Sequence, residues 1–410
     1  MSKYHLNIRQ VIYSLSDALD LVGVNHIHHG KRVAYIAAEI GKRLGWEPNR
    51  LDDLYNAAIL HDCGVSKTIV HAHLAQMEWE FENEHCALGA SLLQNCPALR
   101  DLSEIVRHHH THWSQLKQLD LPQAVKLNAN CIYLADRTDI LTLAALMECP
   151  NILLGKDKIR DAIKQLSGDW FAPELVDAFL EISKSEAFWF SLESEHVNDY
   201  ALTWVLRDSK RTIEFEALRS LVHIFSIIVD AKSPFTKEHS DGVARLARFL
   251  GAKLHLPAKS CEMLELAGLL HDLGKLRVPD ELLDKPGKLT AEEYAQLQRH
   301  SFDSFNILKT VHGLEEIAAW ASEHHERIDG SGYPFHLKSP NLSLESRILA
   351  VADVFHALAQ NRPYRPAMPP EQVMHILRQE ADAEKLDKTV VDCVENNLLD
   401  CWKAALLINA

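Results

Sequence analysis

The sequence predicts an all-α protein of two tandem helical domains, and three observations carry that reading. At 410 residues the chain is too long for one ordinary core. Proline (15) and glycine (16) are few, good helix formers are plentiful, and no stretch alternates apolar and polar residues long enough for a sheet. The chain also repeats its own pattern after roughly 200 residues.

Residues 6–22 are predicted helical. After Asn25-His26-Ile27-His28-His29-Gly30 a second helix carries the amphipathic run Val33–Gly41. Gly45-Trp46-Glu47-Pro48 closes it, and Pro48 opens a third that ends in Leu60-His61-Asp62-Cys63-Gly64. The same ending returns as Leu269-Leu270-His271-Asp272-Leu273-Gly274-Lys275. His29 precedes His61 by 32 residues, as His239 precedes His271, and His109-His110 follow His85 by 24, as His324-His325 follow His300. Leu134-Ala135-Asp136 answers Val351-Ala352-Asp353. The offset at His109-His110 is open by one, because His108 can also begin the pair. An internal duplication explains the series, with a first domain over residues 1–205 and a second over 206–410.

Composition narrows the function. A net charge of −14 argues against DNA or other nucleic acid as a partner. No apolar run approaches roughly 18 residues and the N-terminus has no signal-peptide core, so neither a membrane nor secretion is expected. The eight cysteines form no CxxC pair, which fits a reducing, cytoplasmic location. Histidine is abundant, at 24 residues, and neutral imidazole is the commonest metal ligand.

In the second half His239, His271, Asp272, His300, His324, His325 and Asp353 lie at helix ends beside apolar runs. Five imidazoles and two carboxylates suit two divalent ions of the iron or manganese kind better than calcium or magnesium. A carboxylate can give one oxygen to each of two ions, and Asp272 is the expected bridge. Any one of these residues alone would be read as structural; the whole set occurring twice in one order would not.

The string His324-His325-Glu326-Arg327-Ile328-Asp329-Gly330-Ser331-Gly332-Tyr333-Pro334, with His271-Asp272-Leu273-Gly274-Lys275, Asp353-Val354-Phe355-His356-Ala357-Leu358 and Asn361-Arg362-Pro363-Tyr364-Arg365, resembles the HD-GYP domain, a branch of the HD superfamily of metal-dependent phosphohydrolases. The likeness covers roughly residues 210–400. It implies hydrolysis of a cyclic dinucleotide, cyclic di-GMP to pGpG and GMP or 3′3′-cyclic GMP-AMP, by a hydroxide between two metal ions. It implies one ion on His239, His271 and Asp353, the other on His300, His324 and His325, with Asp272 between them. Lys275, Arg362 and Arg365 are implied to meet phosphate, and Gly332 and Tyr333 to shape the substrate wall. The GYP loop is also a proposed docking face for GGDEF-domain proteins. Tyr333 stacks on a base or plugs the core; the residues alone leave this open.

Two departures stand out. Phe235 occupies the position where family members with a third metal carry Glu, so two ions are expected. His356 replaces a customary Asp. The first half keeps His29, His61, Asp62, His85, His109, His110 and Asp136 as a possible second metal site. It has Val65 in place of Lys275 and no GYP loop, so it is read as a GYP-less HD domain of regulatory or scaffold type. A second phosphohydrolase, or a dimerisation module pairing the chain as a homodimer, are the competing readings. For the whole chain the alternatives are a non-catalytic dinucleotide- or partner-binding scaffold and an HD mononucleotide phosphohydrolase.

Overall fold

Helices make up nearly all the regular structure of the computed structural model, which describes residues 2–22, 28–67, 82–207, 211–233, 238–361 and 365–407. The chain forms two units. One comprises Asn7–Val65 and Ile69–Lys210, the other Met1–Leu6, Ser66–Thr68 and Arg211–Ala410. Among the described residues no helix is long and apolar enough to cross a membrane.

In the first unit, Asn7 caps the helix Ile8–Leu19 by accepting the Arg9 amide, satisfying one of the amides a helix start leaves unpaired. His29–Arg43 and Pro48–Leu60 follow, the latter with proline in its first turn. The 26-residue helix Gln123–Glu148 closes the ligand-bearing part. Ile36, Ile40, Leu54, Ala58, Leu60 and Leu134 are buried where these helices meet.

The second unit repeats the plan with Phe215–Asp230, His239–Lys253, Ala258–Leu270, Ala291–Leu308, Glu315–Ser322 and Leu344–Ala359. Thr290 and Glu293 form a reciprocal capping box at the start of Ala291–Leu308, and Ser343 caps Leu344–Ala359. His239–Lys253 packs on Ala258–Leu270 through Val243, Ala247, Leu264 and Ala267, all buried. Each such side chain contributes about 1.5–3 kcal/mol when fully buried. The crossing is close. A Cβ on Gly268 would lie 2.5 Å from the Ala244 Cα.

One feature departs from the predicted division. Lys3–Leu6 pairs antiparallel with Arg211–Glu214, Lys3 opposite Glu214 and Leu6 opposite Arg211. Tyr4 and Leu6 face inward, and the Tyr4 hydroxyl donates to Glu262 at 3.2 Å. The first six residues therefore belong with the second unit and not with residues 7–205. Two four-residue strands are too short to leave a period-2 signal in the sequence.

The duplication extends to the backbone. His28 and Glu238, each just before the helix that opens with a candidate ligand, adopt left-handed φ values of 69° and 64°. A non-glycine residue there costs about 1–2 kcal/mol, so both units spend stability to set the entry of that histidine.

Candidate metal centre

In the second unit five helices converge on one carboxylate, and, unlike the expected placement at helix ends, His300 and Asp353 project from mid-helix. His239 opens its helix, His271 and Asp272 end Ala258–Leu270, His300 lies within Ala291–Leu308, His324 and His325 follow Glu315–Ser322, and Asp353 comes from Leu344–Ala359. Asp272 Oδ2 lies 3.7 Å from His239 Nε2 and 3.3 Å from His271 Nε2; its Oδ1 lies 3.5 Å from His300 Nε2 and 3.9 Å from His324 Nε2. Asp353 Oδ1 completes the first group, 3.2 Å from His239 and 3.8 Å from His271. His300, His324 and His325 form the second group.

Three of these imidazoles are aimed by one device. His271, His300 and His324 each donate Nδ1–H to the carbonyl three residues earlier: Gly268 at 2.7 Å, Leu297 at 2.6 Å and Ala321 at 2.6 Å. That fixes the tautomer and turns the Nε2 lone pairs toward Asp272. His271 Nε2 and Asp272 Oδ1 are buried without a hydrogen-bond partner. Orphaned acceptors of this kind are costly unless a cation meets them, and the donor set fits two divalent ions.

The electrostatics agree. Burial pushes the Asp272 carboxyl up, but His271 and the Lys275 ammonium outweigh it and hold the group well below the usual carboxylate range. Asp353 is likewise held low, burial being outweighed by His239 and His271. Burial lowers His300 to about 4, and burial with neighbouring imidazoles lowers His324 and His325. At neutral pH these three rings are therefore neutral, the form that binds metal.

Around this centre, Lys275 Nζ donates to Asp272 Oδ2 at 2.5 Å. The Tyr333 ring packs over His325 with centroids 4.7 Å apart. Gly330 has φ +83°, whereas Gly332 is needed for close approach, since a Cβ there would lie 2.4 Å from the Arg327 amide nitrogen. Glu326, not singled out from sequence, is buried and accepts the Phe335 and Leu337 amides at 2.6 and 3.0 Å, tying the loop to the ligand segment. Ser304 accepts the Gly274 amide and donates to the His271 carbonyl.

Arg365 has a role beyond the expected phosphate contact. Its guanidinium donates to the Ala357 and Leu358 carbonyls at 2.8 and 3.0 Å and so caps the preceding helix. Arg362 and Phe235 lie outside the described residues.

The first unit reproduces the centre. Asp62 Oδ2 lies 3.8 Å from His29 and 3.4 Å from His61, and its Oδ1 lies 3.4 Å from His85 and 3.9 Å from His109. Asp136 is 3.2 Å from His29. His61 and His109 donate to the carbonyls of Ala58 and Val106, as His271 and His324 do to theirs. The open offset is thereby resolved: His109 answers His324 and His110 answers His325. His108 is half-exposed beside Glu104 and Thr111. Besides the absent GYP loop, the first centre departs from the second at positions beside its ligands. Val65 replaces Lys275, Cys86 replaces Ser301, Asp139 replaces His356, and Arg137, which pairs with Asp136, replaces Val354.

Comparison with known proteins gives two matches to models described as HD domain, over residues 27–141 and 223–390. The chain is 38% identical over 401 residues to 3′3′-cGAMP-specific phosphodiesterase 1 of Vibrio cholerae serotype O1, covering 96% of this chain and 93% of that one. A cyclic di-GMP phosphodiesterase of Pseudomonas aeruginosa is 40% identical over 150 residues, 36% of this chain and 35% of that protein. The crystal structure of a cyclic GMP-AMP-specific phosphodiesterase of V. cholerae, V-cGAP3, shares the fold with a TM-score of 0.64 at 23% identity, over 97% of this chain and 98% of that one.

Proposed function

This chain belongs to the HD-GYP phosphodiesterases of the HD superfamily, with a GYP-less HD domain ahead of the GYP-bearing one, and we propose that its second unit opens the ring of 3′3′-cyclic GMP-AMP. The observation that carries the reading is the division of Asp272, one oxygen toward His239 and His271 and the other toward His300 and His324. The nucleotide assignment is supported by the near full-length likeness to the V. cholerae enzyme.

Members of the superfamily are metal-dependent. When bound, two divalent ions, iron or manganese by donor type, supply charge at the attacked phosphate and bring the pKa of water toward neutral. His239, His271 and Asp353 would hold one, and His300, His324 and His325 the other, with Asp272 common to both. Lys275 places a further cation at the same edge and offsets phosphate charge. Tyr333, packed against His325 at a tilt, walls one side. Water adds to one ring phosphorus and the ribose oxygen leaves with a proton, giving a linear dinucleotide that ends in phosphate. The tip of the loop, Asp329 and Ser331, is exposed and is the face we assign to a GGDEF-domain partner, testable by co-purification with an Asp329→Lys variant.

The test is product analysis on iron- or manganese-loaded protein offered 3′3′-cyclic GMP-AMP and cyclic di-GMP in parallel. Faster linearisation of the mixed dinucleotide is expected. Preference for cyclic di-GMP would overturn the substrate assignment, and turnover of neither would overturn the activity.

A further inference from the structure

We propose that His85, Cys86, His109 and His110 of the first unit form a site for a single thiophilic divalent ion, zinc above all. The site is distinct in chemistry from the one in the second unit and independent of the second unit's substrate.

The four side chains are buried, and their donor atoms lie within 4.8 Å of one another. Cys86 Sγ is 3.6 Å from His85 Nε2 and 3.8 Å from His109 Nε2, and those two nitrogens are 3.3 Å apart. His109 is pinned through Nδ1 to the Val106 carbonyl at 2.6 Å, which presents its Nε2 to the cluster. One further buried atom faces the same centre without a hydrogen-bond partner, Asp62 Oδ1, 3.4 Å from His85 Nε2. Three imidazoles and a thiolate are a tetrahedral zinc set, and sulfur selects soft or borderline ions over those that prefer oxygen.

The equivalent place in the second unit holds Ser301, whose hydroxyl lies 3.3 Å from His300 Nε2. A neutral hydroxyl there leaves an all-nitrogen-and-oxygen set. The two units have thus diverged at one atom of the ligand shell.

The other half of the first unit's centre has moved the opposite way. Asp136, the counterpart of Asp353, is gripped by the neighbouring Arg137 guanidinium, with Nε at 3.0 Å and Nη2 at 2.5 Å from Oδ2. A permanent cation already engages one oxygen of that carboxylate, while its Oδ1 faces His29 at 3.2 Å. The cation weakens that end for an ion, so the sulfur-bearing end is the one expected to load. With Val65 where the second unit has Lys275, the ion has no phosphate-binding cation beside it, which suits a structural or sensing role.

Cobalt substitution of the full-length protein tests this. Co(II) bound by thiolate gives a near-ultraviolet charge-transfer band that nitrogen and oxygen ligands do not. The band is expected in the wild type and in Cys63→Ser, and its loss in Cys86→Ser, together with about one equivalent of zinc by elemental analysis. Cys86→Ser copies the arrangement at Ser301 and so should fold; circular dichroism checks this, and His110→Gln provides a second variant that should shift the band. Absence of a band in folded wild type, or its persistence in Cys86→Ser, would overturn the proposal. Neither result depends on turnover by the second unit.

Discussion

His239 and His356 face one another through their Nδ1 atoms at 3.0 Å, where the first unit sets His29 Nδ1 against the Asp139 carboxylate at 2.7 Å. The metal-facing Nε2 of His239 thus takes its orientation from an imidazole in place of the carboxylate retained by its own duplicate. Gly242 makes the room: a Cβ there would lie 1.9 Å from His356 Nε2.

Replacing His356 by alanine should leave His239 Nδ1–H without its acceptor and weaken metal binding about 10–100-fold. His356→Asp should bind at least as tightly as wild type, because a carboxylate is the stronger acceptor. Competition with a chelator measures both, and equal affinity in all three proteins would remove His356 from the account.

Lys275→Ala should keep its full metal content and lose about 10²–10³ in kcat, the usual cost of removing one group that stabilises developing charge. The ammonium lies 2.5 Å from the proposed bridging oxygen, so its removal takes away a competitor for the ions and not a support. Metal loss in this variant would contradict the assigned role.

Gly274→Ala should destabilise the second unit by about 3 kcal/mol or more. The added Cβ would lie 2.0 Å from the His300 carbonyl oxygen, and relief would move a ligand. Thermal unfolding of the metal-free variant checks this. Gly64 stands in the same relation to His85, with a Cβ at 2.1 Å from its carbonyl oxygen, so Gly64→Ala should act alike on the first unit.

Acid should destabilise the metal-free protein through its buried imidazoles. Unfolded His300 takes up a proton as pH falls through 6.5, while burial makes the folded ring refuse one until about 4. The unfolded state therefore binds more protons in that window, and stability falls as pH drops across it. His271 opposes this. Asp272 and Asp353 raise its folded value despite burial, so its stabilisation is present below 6.5 and lost as pH rises. Between pH 6 and 4.5 the wild-type slope should exceed that of His300→Gln by about 1.4 kcal/mol per pH unit. Chemical denaturation at stepped pH measures the difference, and parallel slopes would contradict it.

Much of the centre was legible in the sequence because duplication turns isolated histidines into a series: the 32- and 24-residue spacings recur, and the helix ends that carry them recur too. The strand Lys3–Leu6 was not legible, since four residues leave no period and its partner, Arg211–Glu214, follows only after the whole first unit in sequence. Arg365 was read as a phosphate contact, but a basic residue just past a helix serves equally well to cap it. The carbonyls of Ala357 and Leu358 show the capping role, which the sequence did not. Cys86 carried no signal because one cysteine beside one histidine has no metal spacing. Its meaning comes from His109 and His110, which arrive from another helix end. Gly332 is required for close backbone approach and not for dihedral freedom, which the residue type alone does not distinguish.

Elemental analysis of Asp272→Asn beside wild type, both purified anaerobically, decides whether Asp272 is common to two ions. An amide is a poor ligand on either side, so the variant should contain about two fewer ions per chain than wild type. A loss of one ion or none would show that Asp272 does not join the two ions.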